Sequence, residues 1–300
     1  MQSPTRNLAL FCDFENVALG VRDARYSAFD IKKVLERLLL KGNIVVKKAY
    51  CDWARYKEFK PAMHEAAFEL IEIPHLRMSG KNSADIRMVV DALDLCYTKA
   101  HVDTFVIISG DSDFSPLVSK LRENNKLVIG VGVKSSTSDL LTSNCDEFIF
   151  YDDLVRDSEK KTKRKQQAAK KKTKKKKKKA AGKAGTSDVG SDTSNDAGNE
   201  AGNEAGNEAQ NAEDQRRQEG FDLVLETIEA LFRDRDEAEK VWGSMVKQTL
   251  KRRRPGFSES YHGFKSFGQL LEDMQSEGLV ELKHDEKSGG YIIESYDVGD

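Results

Sequence analysis

The sequence lacks a long hydrophobic run and any close pair of cysteines. No apolar stretch approaches the roughly 20 residues that a helix needs to cross a bilayer, and Asp13 comes too early for a signal-peptide core. The four cysteines are widely spaced and form no CxxC pair, which argues against a zinc cluster or a disulfide framework and favours reduced thiols. We therefore expect a soluble, cytoplasmic protein without a membrane partner.

An excess of one charge is also lacking, but only on average. The formal net charge is -1, yet residues 156–183 are strongly basic and residues 187–219 are mostly acidic. The basic part contains KKKTKKKKKK, and the acidic part repeats AGNE in tandem. Because such segments have almost nothing to bury, we predict that residues 154–218 form a disordered charged linker between two folded parts.

The first 153 residues alternate short apolar runs with stretches of helical periodicity. The runs predict strands at residues 8–12, 44–50, 71–73, 105–108, 127–133 and 148–151. The periodic stretches predict helices at residues 31–40, 62–70, 84–96 and 114–121. In the helix 84–96, we expect Ile86, Val89, Val90 and Leu93 to face inward. The alternation predicts a three-layer α/β domain with a mostly parallel sheet over residues 1–153.

Four carboxylates lie at the ends of predicted elements in this domain. Asp13 closes the first strand, Asp111 and Asp113 follow the strand at 105–108, and Asp85 lies in the first turn of a helix. Ligands of open α/β sheets bind at the carboxyl edge, so we expect the four side chains to converge there. Taken singly, each has a structural alternative as a helix cap, a partner of a helix dipole or the end of a strand.

Converging carboxylates repel one another and need a cation between them. Oxygen ligands without paired His or Cys favour Mg²⁺ or Mn²⁺ over zinc, and such ions keep waters that can act as a nucleophile. The chemistry suited to this arrangement is the hydrolysis of a phosphodiester. The predicted catalytic residues and metal ligands are Asp13, Asp85, Asp111 and Asp113.

Several residues near these carboxylates are candidates for contacting a scissile phosphate or positioning a water. They are Asn16, Lys81, Ser109 and Ser112. Small and basic residues beside turns are common, so a structural role for them stays open. Asp91 lies six residues beyond Asp85 and either reaches the same edge or binds a neighbouring element.

After residue 219 the apolar periodicity returns. Helical patterns at residues 223–232, 241–250 and 267–274 precede two candidate strands at 279–282 and 291–293, which predicts a winged-helix α+β domain over residues 219–296. The basic residues Lys251, Arg252, Arg253 and Arg254 offer contacts to RNA phosphates, with a solvated helix end as the alternative. Nearby candidates for the same surface are Tyr261, His262 and Lys265.

Three motifs carry a family resemblance: LALFCDFENV, GKNSADIRMVVDAL and VIISGDSDFSPLVSKLRENNKLVIGVG. In this order, they resemble the NYN family of PIN-like nucleases, in its LabA-like branch, over about residues 7–151. The resemblance implies a metal-dependent ribonuclease site at Asp13, Asn16, Asp85, Asp111 and Asp113. Residues 219–294 resemble the OST-HTH or LOTUS module, which implies RNA binding.

The residues and the resemblance together predict a divalent-metal-dependent ribonuclease whose C-terminal module recruits single-stranded or structured RNA. The alternative from a different class is a non-catalytic RNA-binding regulator that uses the acidic residues for a metal or a partner. A third hypothesis is a nuclease that acts on DNA. The lysine run would add salt-dependent affinity for RNA, and a homodimer is an open expectation.

Overall fold

The computed structural model describes residues 6–73, 83–159, 201–234, 240–286 and 288–297. The chain forms two compact units, Met1–Lys174 and Lys175–Asp300. Within the described residues, no helix combines the length and the apolar character that spanning a membrane would require.

The first unit alternates strands and helices along the chain. Its strands are β1 (Arg6–Asp13), β2 (Gly42–Cys51), β3 (Glu69–Glu72), β4 (Thr104–Ile108), β5 (Leu127–Gly132) and β6 (Glu147–Phe150). Its α-helices are α1 (Phe14–Asp23), α2 (Ile31–Lys41), α3 (Lys60–Glu65), α4 (Ser83–Thr98), α5 (Ser115–Glu123), α6 (Asp139–Asn144) and α7 (151–159). Short 3₁₀ turns occupy Lys57–Phe59, Ser112–Phe114 and Lys134–Ser136.

The six strands form one parallel sheet in the order β3-β2-β1-β4-β5-β6. The chain winds outward from β1 to β3 and then crosses back to β4, so the winding direction changes between the adjacent strands β1 and β4. Cys12 is level with Ile108 in their register. Asp13 and Ser109 therefore leave the sheet side by side at the topological switch point, where open α/β sheets bind ligands.

Both faces of the sheet are covered, as the prediction of three layers requires. Along β1, Leu8 and Leu10 join the apolar core on one side, whereas Ala9 and Phe11 join the core on the other. This alternation follows from the two-residue period of a strand. Because both faces are apolar, β1 reads as a continuous hydrophobic run, which is typical of parallel sheets. The predicted three-layer α/β fold is confirmed.

Two helix predictions in this unit were wrong in detail. The helix predicted at 62–70 ends at Glu65, because Ala67 adopts a left-handed conformation with φ of 57° and the chain then enters β3. The buried residues of α4 are Met88, Ala92 and Cys96. Ile86 and Val90, which we expected to face inward, are 63% and 56% exposed. Val89 and Leu93, which we also expected to face inward, are half-buried and pack against the core, so the prediction was right for two of its four residues.

The second unit is a small α+β unit. Its described elements are α8 (Ala201–Asp234), β7 (Val241–Trp242), α9 (Gly243–Arg253), α10 (Phe267–Ser276), β8 (Val280–Asp285) and β9 (Gly290–Tyr296). The strands form an antiparallel sheet in the order β7-β9-β8. Its core joins residues of all three helices, including Phe221, Leu250 and Leu271. The predicted small α+β fold is confirmed, although Val241 and Trp242 start a strand and not a helix.

Parts of the predicted disordered linker are helical. Residues 154–159 lie in α7 and residues 201–218 lie in α8. The physical reason is that residues 201–218 are rich in the good helix formers Ala, Glu, Gln and Arg, and they run directly into the stretch of α8 that packs in the core. The rest of the predicted linker, residues 160–200, lies outside the described residues.

Candidate active site

Asp13 lies at the carboxyl end of β1 and caps the amino terminus of α1. It is only 7% exposed, and both oxygens accept hydrogen bonds. Oδ1 accepts from the Asn16 backbone N–H at 3.3 Å, and Oδ2 accepts from the Ser109 hydroxyl at 3.1 Å. The capping role and a chemical role are therefore compatible, because the same bonds that start the helix also orient the carboxylate.

The turn that follows β4 is held against α1 by side chains from both elements. The Asn16 side-chain oxygen accepts a hydrogen bond from the Gly110 N–H at 2.9 Å, and the Ser109 hydroxyl accepts one from the Asp111 N–H at 3.2 Å. Asn16 and Ser109 were predicted to contact substrate. In the structure their polar groups fix the turn and the Asp13 carboxylate, so the geometry gives them a positioning role.

Position 110 requires glycine because the backbone of another loop passes close to it. A Cβ atom at this position would lie 2.3 Å from the backbone oxygen of Ser136, in the 3₁₀ turn after β5. The Ser138 N–H also donates to the Gly110 carbonyl at 2.9 Å. This contact ties the turn after β4 to the loop after β5, so residues that follow two adjacent strands together form this edge of the sheet.

Asp111 caps the 3₁₀ turn that precedes α5 by accepting a hydrogen bond from the Asp113 N–H at 3.0 Å. Of the two carboxylates in this turn, Asp111 is the one that caps, and Asp113 is exposed. Ser112 and Asp113 also line a shallow groove of about 480 Å³ between α5 and α6. Asp113 is therefore accessible to solvent along this groove.

The electrostatics link Asp13 and Asp85. Burial raises the pKa of Asp13 from 3.8 to about 7; the Asp85 carboxylate adds to the shift, and the bonds from Asn16 and Ser109 oppose it. Burial is also the largest cause of the raised pKa of Asp85, and the Asp111 and Asp113 carboxylates raise this pKa further. We call Asp13, Asp85, Asp111 and Asp113 the acidic cluster. Its members repel one another because they meet at one edge.

No described Lys or Arg forms an ion pair with a member of the acidic cluster. Lys81, a predicted phosphate contact, lies outside the described residues. In the part of the chain that the structure describes, no three His, Cys, Asp or Glu side chains are arranged to enclose one metal ion. The donor set still fits Mg²⁺ or Mn²⁺, because these ions often use one or two carboxylates and complete their coordination with water and phosphate.

Asp91 does not belong to the acidic cluster. Its carboxylate accepts a hydrogen bond from the Tyr50 hydroxyl at 2.9 Å, and it lies 3.1 Å from Arg87 and 3.4 Å from Lys48. It therefore ties α4 to β2, so the structural alternative that we left open for this residue is the one that the structure favours.

Glu15 is a site residue that our sequence reasoning missed. Its charge contributes to the raised pKa of Asp85, and it pairs with Arg55 at 3.4 Å. Arg55 therefore pairs with Glu15, and Glu15 lies between this cation and the acidic cluster. The position of Glu15 between Asp13 and Asn16 in the motif DFEN was the available signal, whereas nothing in the sequence pointed to Arg55.

The basic run of the second unit divides into two pairs. Lys251 and Arg254 are exposed. Arg253 has a side chain only 9% exposed and lies 3.5 Å from Glu226, and Arg252 donates to the Thr249 hydroxyl at 2.9 Å. Contiguity in sequence suggested one surface, but the period of a helix turns neighbouring side chains in different directions.

An exposed aromatic residue lies on the same unit. Tyr261 is 59% exposed, and the Arg216 guanidinium lies 5.5 Å from the centre of its ring. His262 is buried beneath it and bonds the Arg216 carbonyl at 2.7 Å. Lys265 is exposed nearby in sequence. Phe264 and Phe267 belong to the core.

A family model for the NYN domain matches residues 7–153. Residues 7–153 are an NYN domain. This domain belongs to the PIN-like nuclease superfamily and contains every element that carries the acidic cluster. The family assignment agrees with the resemblance in the sequence motifs, and it does not extend to the second unit.

Two curated relatives match part of the chain. An uncharacterized protein of Methanocaldococcus jannaschii is 28% identical over 120 residues, which are 40% of this chain and 47% of that protein. Meiosis regulator and mRNA stability factor 1 of Xenopus tropicalis is 25% identical over 157 residues, which are 52% of this chain and 9% of that protein. The chain therefore spans less than half the length of either relative.

A solved structure also matches, that of a protein of unknown function from Vibrio parahaemolyticus. The two are 29% identical with a TM-score of 0.46, and the match covers 51% of this chain and 98% of the other.

Proposed function

We propose that this protein is a divalent-metal-dependent ribonuclease that hydrolyses phosphodiester bonds at the acidic cluster. The observation that carries the proposal is the meeting of carboxylates from β1, α4 and the turn after β4 at the switch point of an NYN domain. Like charges brought together without a basic partner among the described residues favour a bound cation.

Asp13, Asp85, Asp111 and Asp113 would hold Mg²⁺ or Mn²⁺. When bound, the ion supplies Lewis-acid stabilisation and lowers the pKa of a water. The residues of the chain do the positioning: the Ser109 hydroxyl orients Asp13, and the Asn16 amide holds the turn that carries Asp111. The Ser112 hydroxyl borders the open groove, where it is placed to donate to a phosphate oxygen.

RNA is the substrate that we propose. One matched relative carries mRNA stability in its name, which is consistent with an RNA substrate for the NYN domain. On the second unit, Tyr261 with the Arg216 guanidinium over its ring offers a stacking platform for an unpaired base. Lys251, Arg254 and Lys265 add positive charge for phosphates. We assign RNA recruitment, in the manner of a LOTUS module, to this surface.

The second candidate function is a regulator that binds RNA without cutting it. It would use the same Tyr261 surface, and the acidic cluster would hold a metal without turnover. The observation that favours this candidate is that no three described His, Cys, Asp or Glu side chains are arranged to enclose a metal ion.

The deciding experiment is the incubation of labelled single-stranded RNA with the full-length protein in Mg²⁺, in Mn²⁺ and in chelator. We expect cleavage with metal and none with chelator. The double variant Asp111→Asn/Asp113→Asn should lose activity by about 100-fold or more, because charge stabilisation of the transition state is lost.

Asp91→Asn is the matched control, because it also removes a carboxylate but from an ion-paired position outside the acidic cluster. Its activity should equal that of the wild type. RNA that shifts in a gel but is never shortened would support the regulator. Equal cleavage of a matched DNA would overturn RNA as the preferred substrate.

A further inference from the structure

The outward side of α4 carries an exposed apolar stripe. Ile86, Val90 and Tyr97 are 63%, 56% and 64% exposed. Leu93 continues the same line; it is half-buried, because one side of it packs against the core. Their spacing of four, three and four residues places them on one face of the helix. The opposite face of α4 already packs in the core through Met88, Ala92 and Cys96. The exposed members Ile86, Val90 and Tyr97 are therefore not needed for the core, and contiguous exposed apolar residues of this kind mark interaction sites.

The spacing of the stripe residues, which is four, three and four, is symmetric along the helix. If a second α4 runs antiparallel to the first, Ile86 of one copy is level with Tyr97 of the other, and Val90 is level with Leu93. A two-fold contact has this property, because each residue pair occurs twice with the roles exchanged. The same four positions are the alternating core positions of an antiparallel helix pair.

The charges beside the stripe are complementary in the same arrangement. Arg87 and Asp94 each follow a stripe residue by one position, so both lie on one flank of α4. In the antiparallel pair, Arg87 of each copy approaches Asp94 of the other. Asp94 is exposed and forms no ion pair with another described residue. Arg87 donates from Nε to Asp91 at 3.1 Å, which leaves the other donors of the guanidinium available.

We propose that α4 pairs with α4 of a second copy of this chain, antiparallel, about a two-fold axis between Val90 and Leu93. The contact covers the apolar stripe and adds two ion pairs between Arg87 and Asp94. Asp85 of each copy is then level with residue 98 of the other, so the two acidic clusters are separated by about 20 Å along the helix axes. This pairing does not depend on catalysis.

The first test is analytical ultracentrifugation of the full-length protein over a range of concentrations. The wild type should form a dimer that dissociates on dilution. Val90→Glu brings carboxylates from both copies to the axis and should weaken the dimer by at least about tenfold. Val45→Glu is the matched control, because Val45 is 45% exposed at the irregularity of β2 and should leave the dimer unchanged.

The second test uses the symmetry of the contact. Arg87→Glu places two carboxylates against each other across the contact, and Asp94→Arg places two guanidinium groups against each other, so each variant alone should be largely monomeric. Mixed together, the two variants regain both opposite-charge pairs and should form a heterodimer. Thermal melting of each variant confirms that the monomers remain folded.

Three results would overturn the proposal. They are a wild type that stays monomeric at every concentration, a dimer that Val90→Glu does not weaken, and a mixture of the two charge variants that forms no heterodimer.

Discussion

The acidic cluster of the NYN domain differs from the charged side chains that hold the second unit together. In the second unit, several basic residues are tied to carboxylates: Arg253 to Glu226, Lys247 to Glu259 and Arg217 to Asp273. In the NYN domain, Asp13 and Asp85 meet the other carboxylates of the acidic cluster with no such partner among the described residues. Paired charges hold elements together, whereas unpaired like charges reduce stability and point to a ligand.

This difference distinguishes two roles for the same residue types. Asp91 and Asp85 lie on the same helix, yet Asp91 contacts Lys48, Arg87 and the Tyr50 hydroxyl, and Asp85 faces other carboxylates. Within α4, Asp85 is therefore the candidate for a functional carboxylate, and Asp91 is the structural carboxylate that serves as its control.

The largest expected effect is the pH dependence of stability in chelator. Because the pKa of Asp13 is raised from 3.8 to about 7, the folded state binds more protons than the unfolded state between these values. The free energy of unfolding should therefore fall as pH rises from about 4 to 7, by up to about 4 kcal/mol. Urea titrations of the full-length protein at several pH values measure it.

The control for this prediction is Asp13→Asn, which cannot ionise and should reduce the slope. Saturating Mg²⁺ should also reduce it, since the cation then offsets the repulsion within the acidic cluster. If the free energy of unfolding of the wild type rises with pH over this interval, the raised pKa of Asp13 is contradicted.

An intermediate effect is expected from breaking a paired charge in the second unit. Arg253→Met should lower the free energy of unfolding by about 2 kcal/mol, because the largely buried Glu226 loses an ion-pair partner. Lys283→Met is the control: its pair with Glu294 is exposed at both ends and should contribute less than about 0.5 kcal/mol. Denaturant midpoints measure both. Equal losses of unfolding free energy in the two variants would contradict a larger contribution from the buried ion pair than from the exposed one.

The smallest effect concerns the exposed part of the second unit. Tyr261→Ala should weaken the binding of single-stranded RNA by about tenfold, because one stacked base is lost. The melting temperature should change little, because the ring is exposed. Tyr261→Phe keeps the ring and should retain the affinity. Fluorescence anisotropy with a labelled RNA measures all three proteins, and unchanged binding by Tyr261→Ala would place the RNA surface elsewhere.

Much of the fold followed from local sequence patterns. The strands of the first unit were predictable because β-branched runs end at polar turns, and the order of these runs with helices indicates a parallel sheet. The placement of Asp13 and Ser109 at the carboxyl edge of the sheet also followed, since both stand where predicted strands end. That these two strands are neighbours in the sheet was known only from the structure. Their hydrogen bond and the shared burial required coordinates.

What failed depended on tertiary context. The helix 84–96 has two apolar stripes, and the sequence alone does not show that Met88 and Ala92 meet the sheet while Ile86 and Val90 stay exposed. The inward turn of Arg253 required knowledge of Glu226, which lies 27 residues earlier on another helix. The pairing of Glu15 with Arg55 joins residues 40 positions apart and has no local signal.

The most direct measurement of the central claim is the binding of Mn²⁺ to the full-length protein, followed by electron paramagnetic resonance. The wild type should bind the ion, Asp85→Asn should weaken binding by about tenfold or more, and Asp91→Asn should bind as the wild type does. Equal binding by all three proteins, or none by the wild type, would contradict a cation site at the acidic cluster.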